Sequence, residues 1–150
     1  MKTKFFALLA VSLFLFVGCA PKEEEPQPVA ADYVGTVNVE YQGAINATPD
    51  IRVHFEPSAD GTTATLVIYK IKFVPQMPVT IDVTVPGLSV HTSDGVVTFT
   101  GEGIIPEAMG GPVDRYRVTG MSGTQRANSL SFQLYFGEYP TTFTGTLQAL

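Results

Sequence analysis

The chain has 150 residues, 45% of them hydrophobic and 15% charged, with a net charge of −5 at neutral pH, one cysteine and no tryptophan. A single cysteine excludes an internal disulfide bond. Residues 32–150 carry six Lys or Arg against eleven Asp or Glu, without a basic cluster, and binding to phosphates needs several clustered cations. The composition therefore argues against nucleic acid as a partner.

The first 18 residues have the pattern of a secretory leader. Lys2 and Lys4 precede an apolar run of 13 residues, from Phe5 to Val17, whereas a helix needs about 20 residues to span a bilayer. The run ends at Gly18 and Cys19, a junction that resembles the lipobox of bacterial lipoproteins, in which the cysteine thiol takes a diacylglyceryl group. The sequence therefore predicts a signal peptide over residues 1–18 and attachment to the outer membrane through a lipid on Cys19.

Residues 19–31 are predicted to form a flexible spacer that begins at the lipidated cysteine. They contain three prolines and the acidic run Glu23–Glu25, and they show no apolar periodicity. Lys22 and the three acids resemble the short acidic export signal of surface lipoproteins from gut anaerobes, but a plain solvated linker has the same composition. Exposure at the cell surface and a position on the inner leaflet both stay open.

From residue 32 onward the apolar residues recur with period two, and no stretch of a dozen residues has the period of a helix. Residues 32–150 are therefore predicted to form one all-β domain. The eight predicted strands span residues 33–41, 51–56, 62–73, 79–85, 96–105, 115–123, 130–136 and 141–147. The connections are short and rich in turn-forming residues, so neighbouring strands are expected to be antiparallel.

Strand alternation assigns most side chains to an inner apolar face or an outer polar face. The inner face is expected to contain Tyr33, Gly35, Tyr41, Val67, Tyr69, Val79, Gly101, Gly103, Tyr116, Gly120, Phe132 and Gly145. The apolar residues assigned to the outer face are Val34, Leu66, Ile68, Ile104, Met121 and Tyr135.

A sheet of this kind buries its apolar face by closing into a barrel or by folding into a sandwich. Inward glycines such as Gly35 and Gly145 favour the barrel, because they permit the coiling that closure requires. Gly35 lies in the first predicted strand and Gly145 in the last, in similar surroundings, so these two strands are expected to pair. The predicted fold is an eight-stranded antiparallel up-and-down β-barrel.

Six segments carry a resemblance to a known family: residues 33–36, 66–73, 79–83, 119–124, 129–132 and 143–145. In order and spacing they resemble the small calycin-like β-barrel lipoproteins of gut anaerobes, which are similar in architecture to lipocalins. The resemblance covers residues 32–150, although the Gly-x-Trp hallmark of lipocalins is not met, because the chain has no tryptophan. It implies a lipocalin-like barrel, and the family brings no established activity with it.

The sequence shows no catalytic arrangement. His54 is predicted on the outer face of a strand and His91 in a loop, neither beside an obvious partner. No metal-binding, nucleophile-elbow or phosphate-binding motif occurs. We therefore expect no enzymatic activity, no catalytic residue, no metal and no cofactor.

Two functions fit a barrel of this size, whose interior is either filled by side chains or holds one small ligand. The first is a binding protein for a small apolar ligand, with an interior lined by Tyr33, Tyr41, Tyr69, Tyr116 and Phe132. The alternative is a surface interaction module with a filled core, which binds a protein or a glycan through loops 42–50, 86–95 and 104–114. In both cases the lipid anchor makes the membrane a further partner.

Overall fold

The computed structural model of the chain describes residues 27–149. Its strands are β1 Ala31–Tyr41, β2 Ala44–Pro57, β3 Thr63–Ile71, β4 Ile81–Ser93, β5 Val96–Gly101, β6 Glu107–Ala108, β7 Gly111–Pro112, β8 Val118–Gln125, β9 Ser129–Phe136 and β10 Tyr139–Leu147. One turn of 3-10 helix spans Asp114–Tyr116. None of the described residues forms a helix that is long and apolar enough to cross a membrane. The predicted leader, Cys19 and the spacer up to residue 26 lie outside the described residues.

The eight long strands close into one antiparallel barrel. The hydrogen-bonded order is β1, β2, β3, β4, β5, β8, β9 and β10, and β10 returns to pair with β1. Since neighbours in the sheet follow the order of the chain, the predicted up-and-down barrel is confirmed. The two-residue strands β6 and β7 form a hairpin that joins β4 through the pairing of Thr84 with Glu107. The long strands leave no open edge among themselves and enclose their own core, so the barrel is self-contained.

Gly35 and Gly145 lie opposite each other where β1 and β10 close the barrel, as predicted. A Cβ atom on Gly35 would overlap the backbone carbonyl of Thr144, and one on Gly145 would overlap the ring of Phe143. Both strands therefore need glycine here for their close approach.

The inner face of β3 is the reverse of the prediction. Leu66 and Ile68 are buried, whereas Val67 and Tyr69 point away from the core. The cause is Lys70, whose φ of 58° interrupts the alternation at a register shift between Ile68 and Ile71. If every second residue is counted back from the buried Ile71 and Phe73, without a bulge, the wrong side chains of β3 are assigned to the inner face.

Bulges also explain other departures from the predicted pattern. In β8, Gly120 has a φ of 58° and is exposed, and Met121, predicted to face outward, is buried within the register shift between Thr119 and Ser122. In β2, Thr48 and Ile51 pair with nearly adjacent residues of β1, so most of the predicted loop 42–50 belongs to one long strand that carries a bulge. Most of the predicted loop 86–95 likewise belongs to β4. Val79 is 61% exposed, outside any strand, which corrects its inward assignment.

Aromatic side chains cross the interior of the barrel. The rings of Phe55 on β2 and Phe99 on β5 have centroids 5.2 Å apart, although these strands are three places apart around the barrel. Phe73, which follows β3, contacts Phe136 on the opposite strand β9 with centroids 5.1 Å apart. At both of these contacts, protein side chains occupy the lumen.

Candidate functional site

Tyr33 lies inside the barrel, where protein groups already bind its hydroxyl. The side chain is fully buried, and the Gln125 amide nitrogen donates a hydrogen bond of 2.9 Å to the hydroxyl oxygen. The same amide donates to the carbonyl of Val29 and accepts from its N–H group. Burial raises the pKa of the Tyr33 hydroxyl, and the bond from Gln125 partly opposes this shift. The bond between Tyr33 and Gln125 is a third contact across the lumen. Through Gln125, the N-terminal segment at Val29 is held against the core.

Phe132 is packed into the core. Its ring stacks on Phe143 with centroids 5.2 Å apart and meets Phe99 edge-on at 6.4 Å. Gly123 lies between Phe99 and Phe132 in the register, and a Cβ atom on it would overlap the Phe99 ring. The three rings therefore fill the space that Phe132 was predicted to share with a ligand.

Tyr41 and Tyr116 meet near Tyr139, at the end of the barrel opposite Val29. The ring centroids of Tyr41 and Tyr116 lie 6.1 Å and 6.3 Å from that of Tyr139, and Tyr116 also stacks on Phe73 at 4.2 Å. An open cleft of about 540 Å³ lies here, lined by Glu40, Tyr41, Gln42, Arg115, Glu138 and Tyr139. Two of the predicted ligand-binding tyrosines thus lie at the mouth of the barrel, above a filled lumen.

Tyr69 does not belong to this group, and its assignment to the interior is wrong. Its ring lies outside the barrel, with the guanidinium carbon of Arg52 4.1 Å from the ring centroid. Because Lys70 shifts the phase of β3, Tyr69 shares the outer surface with a charged residue of β2.

The outer surface of six neighbouring strands carries two parallel rows of uncharged polar side chains. The first row, from β1 to β4, consists of Thr36, Thr144, Ser131, Thr124, Thr98 and His91. The second row, in the same strand order, consists of Asn38, Thr142, Gln133, Ser122, Thr100 and Ser89. Each member is the direct partner of the next across the sheet, and none is buried. We call these twelve residues the hydroxyl face.

Apart from His91, the hydroxyl face contains no acidic or basic side chain. No residue of β5, β8, β9 or β10 is Asp, Glu, Lys, Arg or His, although the chain carries 23 acidic or basic residues. Its hydroxyls are within reach of one another: Thr124 and Ser131 share a hydrogen bond of 3.2 Å, and Asn38 donates to Thr142 at 3.4 Å. Its central part forms an open depression of about 490 Å³.

Tyr135 lies at the border of the hydroxyl face, two residues beyond Gln133 on β9. It is 49% exposed, and its ring rests against Gly120, with ring atoms 3.5 and 3.7 Å from the position of a Cβ atom there. The carboxylate of Glu102 accepts a hydrogen bond of 2.8 Å from the N–H group of Gly120. An exposed aromatic ring and a carboxylate therefore border the uncharged rows.

His54 has partners that the sequence did not reveal. Its Nδ1 lies 2.7 Å from a carboxylate oxygen of Asp32, and its Nε2 lies 2.8 Å from one of Glu56. Partial burial alone would lower the pKa of His54, but the bonds to Glu56 and Asp32 and their charges outweigh it and raise the pKa. Both ring nitrogens are engaged, so neither is free to activate a nucleophile. Within residues 27–149, no group of three or more His, Cys, Asp or Glu could hold a metal ion.

Comparisons with protein families, with curated proteins and with solved structures find no match for this chain. The resemblance to calycin-like lipoproteins therefore stays a prediction.

The sequence pattern placed five members of the hydroxyl face on the outer surface, namely Thr36, Asn38, Ser131, Gln133 and Thr144, but did not indicate one site. His91, predicted in a loop, lies in β4. A signal was present in four strands, each with two uncharged polar residues around one inward residue: Thr98-Phe99-Thr100, Ser122-Gly123-Thr124, Ser131-Phe132-Gln133 and Thr142-Phe143-Thr144. Only the register of the closed sheet brings these triplets into common rows.

Proposed function

We propose that the protein is a non-enzymatic binding module, anchored to the outer membrane through Cys19, that binds its partner on the outside of the barrel through the hydroxyl face. The observation that carries this proposal is the contrast between inside and outside. Phe73 meets Phe136 across the lumen, whereas a broad outer surface is uncharged, polar and open. A barrel filled in this way leaves its outer surface for binding.

The N-terminal segment supports the anchored arrangement. Pro28 is buried, Val29 is held by Gln125 and β1 begins at Ala31, so the last residues of the predicted spacer 19–31 are fixed to the barrel and not flexible. Eight residue steps separate Cys19 from Gln27, which at full extension reach at most about 29 Å. A lipid on Cys19 would therefore keep this end of the barrel close to the membrane.

A carrier of a small apolar ligand is the second candidate. The observation that favours it is the cleft of about 540 Å³ at the mouth of the barrel, where the rings of Tyr41 and Tyr139 offer apolar surface alongside the charged groups of Glu40, Arg115 and Glu138. In this case the ligand would bind above the filled lumen and not within it.

Photo-crosslinking in the cells that produce the protein can test the proposed binding surface. A photoreactive amino acid in place of Thr124 samples the hydroxyl face, and the same residue in place of Thr65, on the outer surface of β3, is the matched control. We expect slow-migrating adducts from position 124 and not from position 65. Equal adducts at both positions, or none at position 124, would contradict the proposal. A third photoreactive residue in place of Tyr41 samples the cleft, and adducts from that position alone would favour the carrier.

The anchor is tested separately with Cys19→Ala. Because Cys19 is the only thiol of the chain, this variant should no longer enter the detergent phase with the outer-membrane fraction. Full partition of the variant would exclude lipid attachment at this residue.

A further inference from the structure

We propose that the hydroxyl face binds a neutral polysaccharide. This inference rests on the proposed function and names the class of its ligand. Three features of the hydroxyl face support it: the lack of Asp, Glu, Lys and Arg, the spacing of the hydrogen-bonding groups, and the residues at the border.

The first argument is charge. Soluble proteins cover about a quarter to a third of their surface with Lys, Arg, Glu and Asp, and these residues are missing from four adjacent strands here. An anionic ligand would need Arg or Lys to bind its carboxylates, sulfates or phosphates, and the hydroxyl face offers neither. The electrostatic match is therefore to an uncharged partner.

The second argument is the repeat of hydrogen-bonding groups. Neighbouring strands lie about 4.8 Å apart, so a row that crosses six of the eight strands follows about 24 Å of the curved barrel wall, and its part across the four strands of the depression extends over about 14 Å. Ser and Thr hydroxyls each donate one hydrogen bond and accept up to two, and the Gln133 and Asn38 amides do both. A sugar chain presents hydroxyls that also donate and accept, at repeated intervals, and several units fit along such a row.

The third argument is Tyr135. Its half-exposed ring rests on Gly120, which has no side chain to cover it, beside the second row. The C–H groups on one side of a pyranose ring can pack against an aromatic face. Glu102, at the same border, offers a carboxylate that can accept hydrogen bonds from sugar hydroxyls.

Other occupants fit this surface less well. Protein interfaces are built around aromatic, Met and Arg anchors, and Ser is depleted in them. A membrane surface selects apolar side chains flanked by Lys or Arg. The rows of Ser, Thr, Asn and Gln match neither pattern.

Affinity electrophoresis tests the inference with residues 20–150, the mature chain without its lipidated cysteine, since the barrel is self-contained. The gels contain starch, xyloglucan or galactomannan as neutral probes and polygalacturonate as an anionic one. We expect one of the neutral polysaccharides to retard the wild type and the anionic one not to do so. Thr124→Val/Thr144→Val and Tyr135→Ala should each weaken that binding by about tenfold, because each removes hydrogen bonds or the stacking surface. Thr65→Val, the same change on the opposite side of the barrel, should leave it unchanged.

Each other outcome overturns the inference. Absence of retardation by any neutral probe would exclude polysaccharide binding, and crosslinks from position 124 would then still support an external binding surface for another ligand. Retardation that the face variants do not alter would place the sugar site elsewhere. A dimer of the wild type that the face variants dissociate would identify a second copy of the chain as the occupant.

Discussion

At the scale of single residues, the bond between Gln125 and Tyr33 holds the N-terminal segment against the core. Tyr33→Phe leaves one amide hydrogen of a buried Gln125 without a partner, so we expect it to lower the free energy of unfolding by about 1–3 kcal/mol. Urea unfolding of the mature chain measures this change. Tyr135→Phe is the control and should be neutral because the Tyr135 side chain is half exposed. Equal effects of the two variants would show that the buried bond does not stabilise the barrel.

The His54 cluster predicts a pH dependence of stability. The pKa of His54 is raised in the folded state, so the folded protein binds the imidazole proton more tightly than the unfolded chain does. The resulting stabilisation is complete below the unfolded pKa of about 6.5 and is lost as the pH rises through the folded value. His54→Gln should therefore be more destabilising at acidic than at alkaline pH, by less than about 1 kcal/mol for this partly exposed cluster.

Urea unfolding of the wild type and of His54→Gln at about pH 5.5 and pH 8.5 checks this pH dependence, since the two pH values bracket the ordinary His pKa. A loss that is equal at both values, or larger at alkaline pH, would contradict the assigned direction of the pKa shift.

At the scale of strands, the closure between β1 and β10 depends on glycine. Gly35→Ala would push a Cβ atom into the backbone carbonyl of Thr144, which cannot rotate away as a side chain could. We expect a loss of about 3 kcal/mol or more in the free energy of unfolding. The neighbouring Thr36→Val, on the outer surface of the same strand, should change it by less than about 0.5 kcal/mol. A neutral Gly35→Ala together with a costly Thr36→Val would mean that the two faces of β1 are interchanged.

The same scale shows why the sequence predicted some strands better than others. In β1, β9 and β10 the alternation is unbroken on the inner face, so Tyr33, Phe132 and Gly145 were placed correctly. In β3 the bulge falls on Lys70, a residue whose side chain gives no sign of a positive φ. In β8 the bulge falls on Gly120. A glycine on the inner face of a strand and a glycine in a bulge give the same sequence pattern, so the pattern does not distinguish them. The errors at Tyr69 and Met121 follow from these two bulges.

At the scale of the whole molecule, strand order was predictable and the candidate site was not. Short turns force neighbours in sequence to be neighbours in the sheet, so the number and order of the long strands followed from the pattern. The hydroxyl face depends on register between strands that are distant in sequence, such as Thr36 with Thr144 and Thr124 with Thr98. A shift of one residue in any of these pairs would turn the hydroxyls toward the core, and the sequence pattern alone does not fix that register.

The filled lumen is the central claim of this account, because it assigns binding to the outer surface. Titration of the mature chain with Nile red, an uncharged dye that fluoresces in apolar surroundings, tests it most directly. We predict no rise in fluorescence with the wild type and a saturable rise with Phe132→Ala, which opens space between Phe99 and Phe143. Saturable binding by the wild type that survives Tyr41→Ala, which removes a ring from the cleft at the mouth, would contradict the claim, because the dye would then lie inside the barrel.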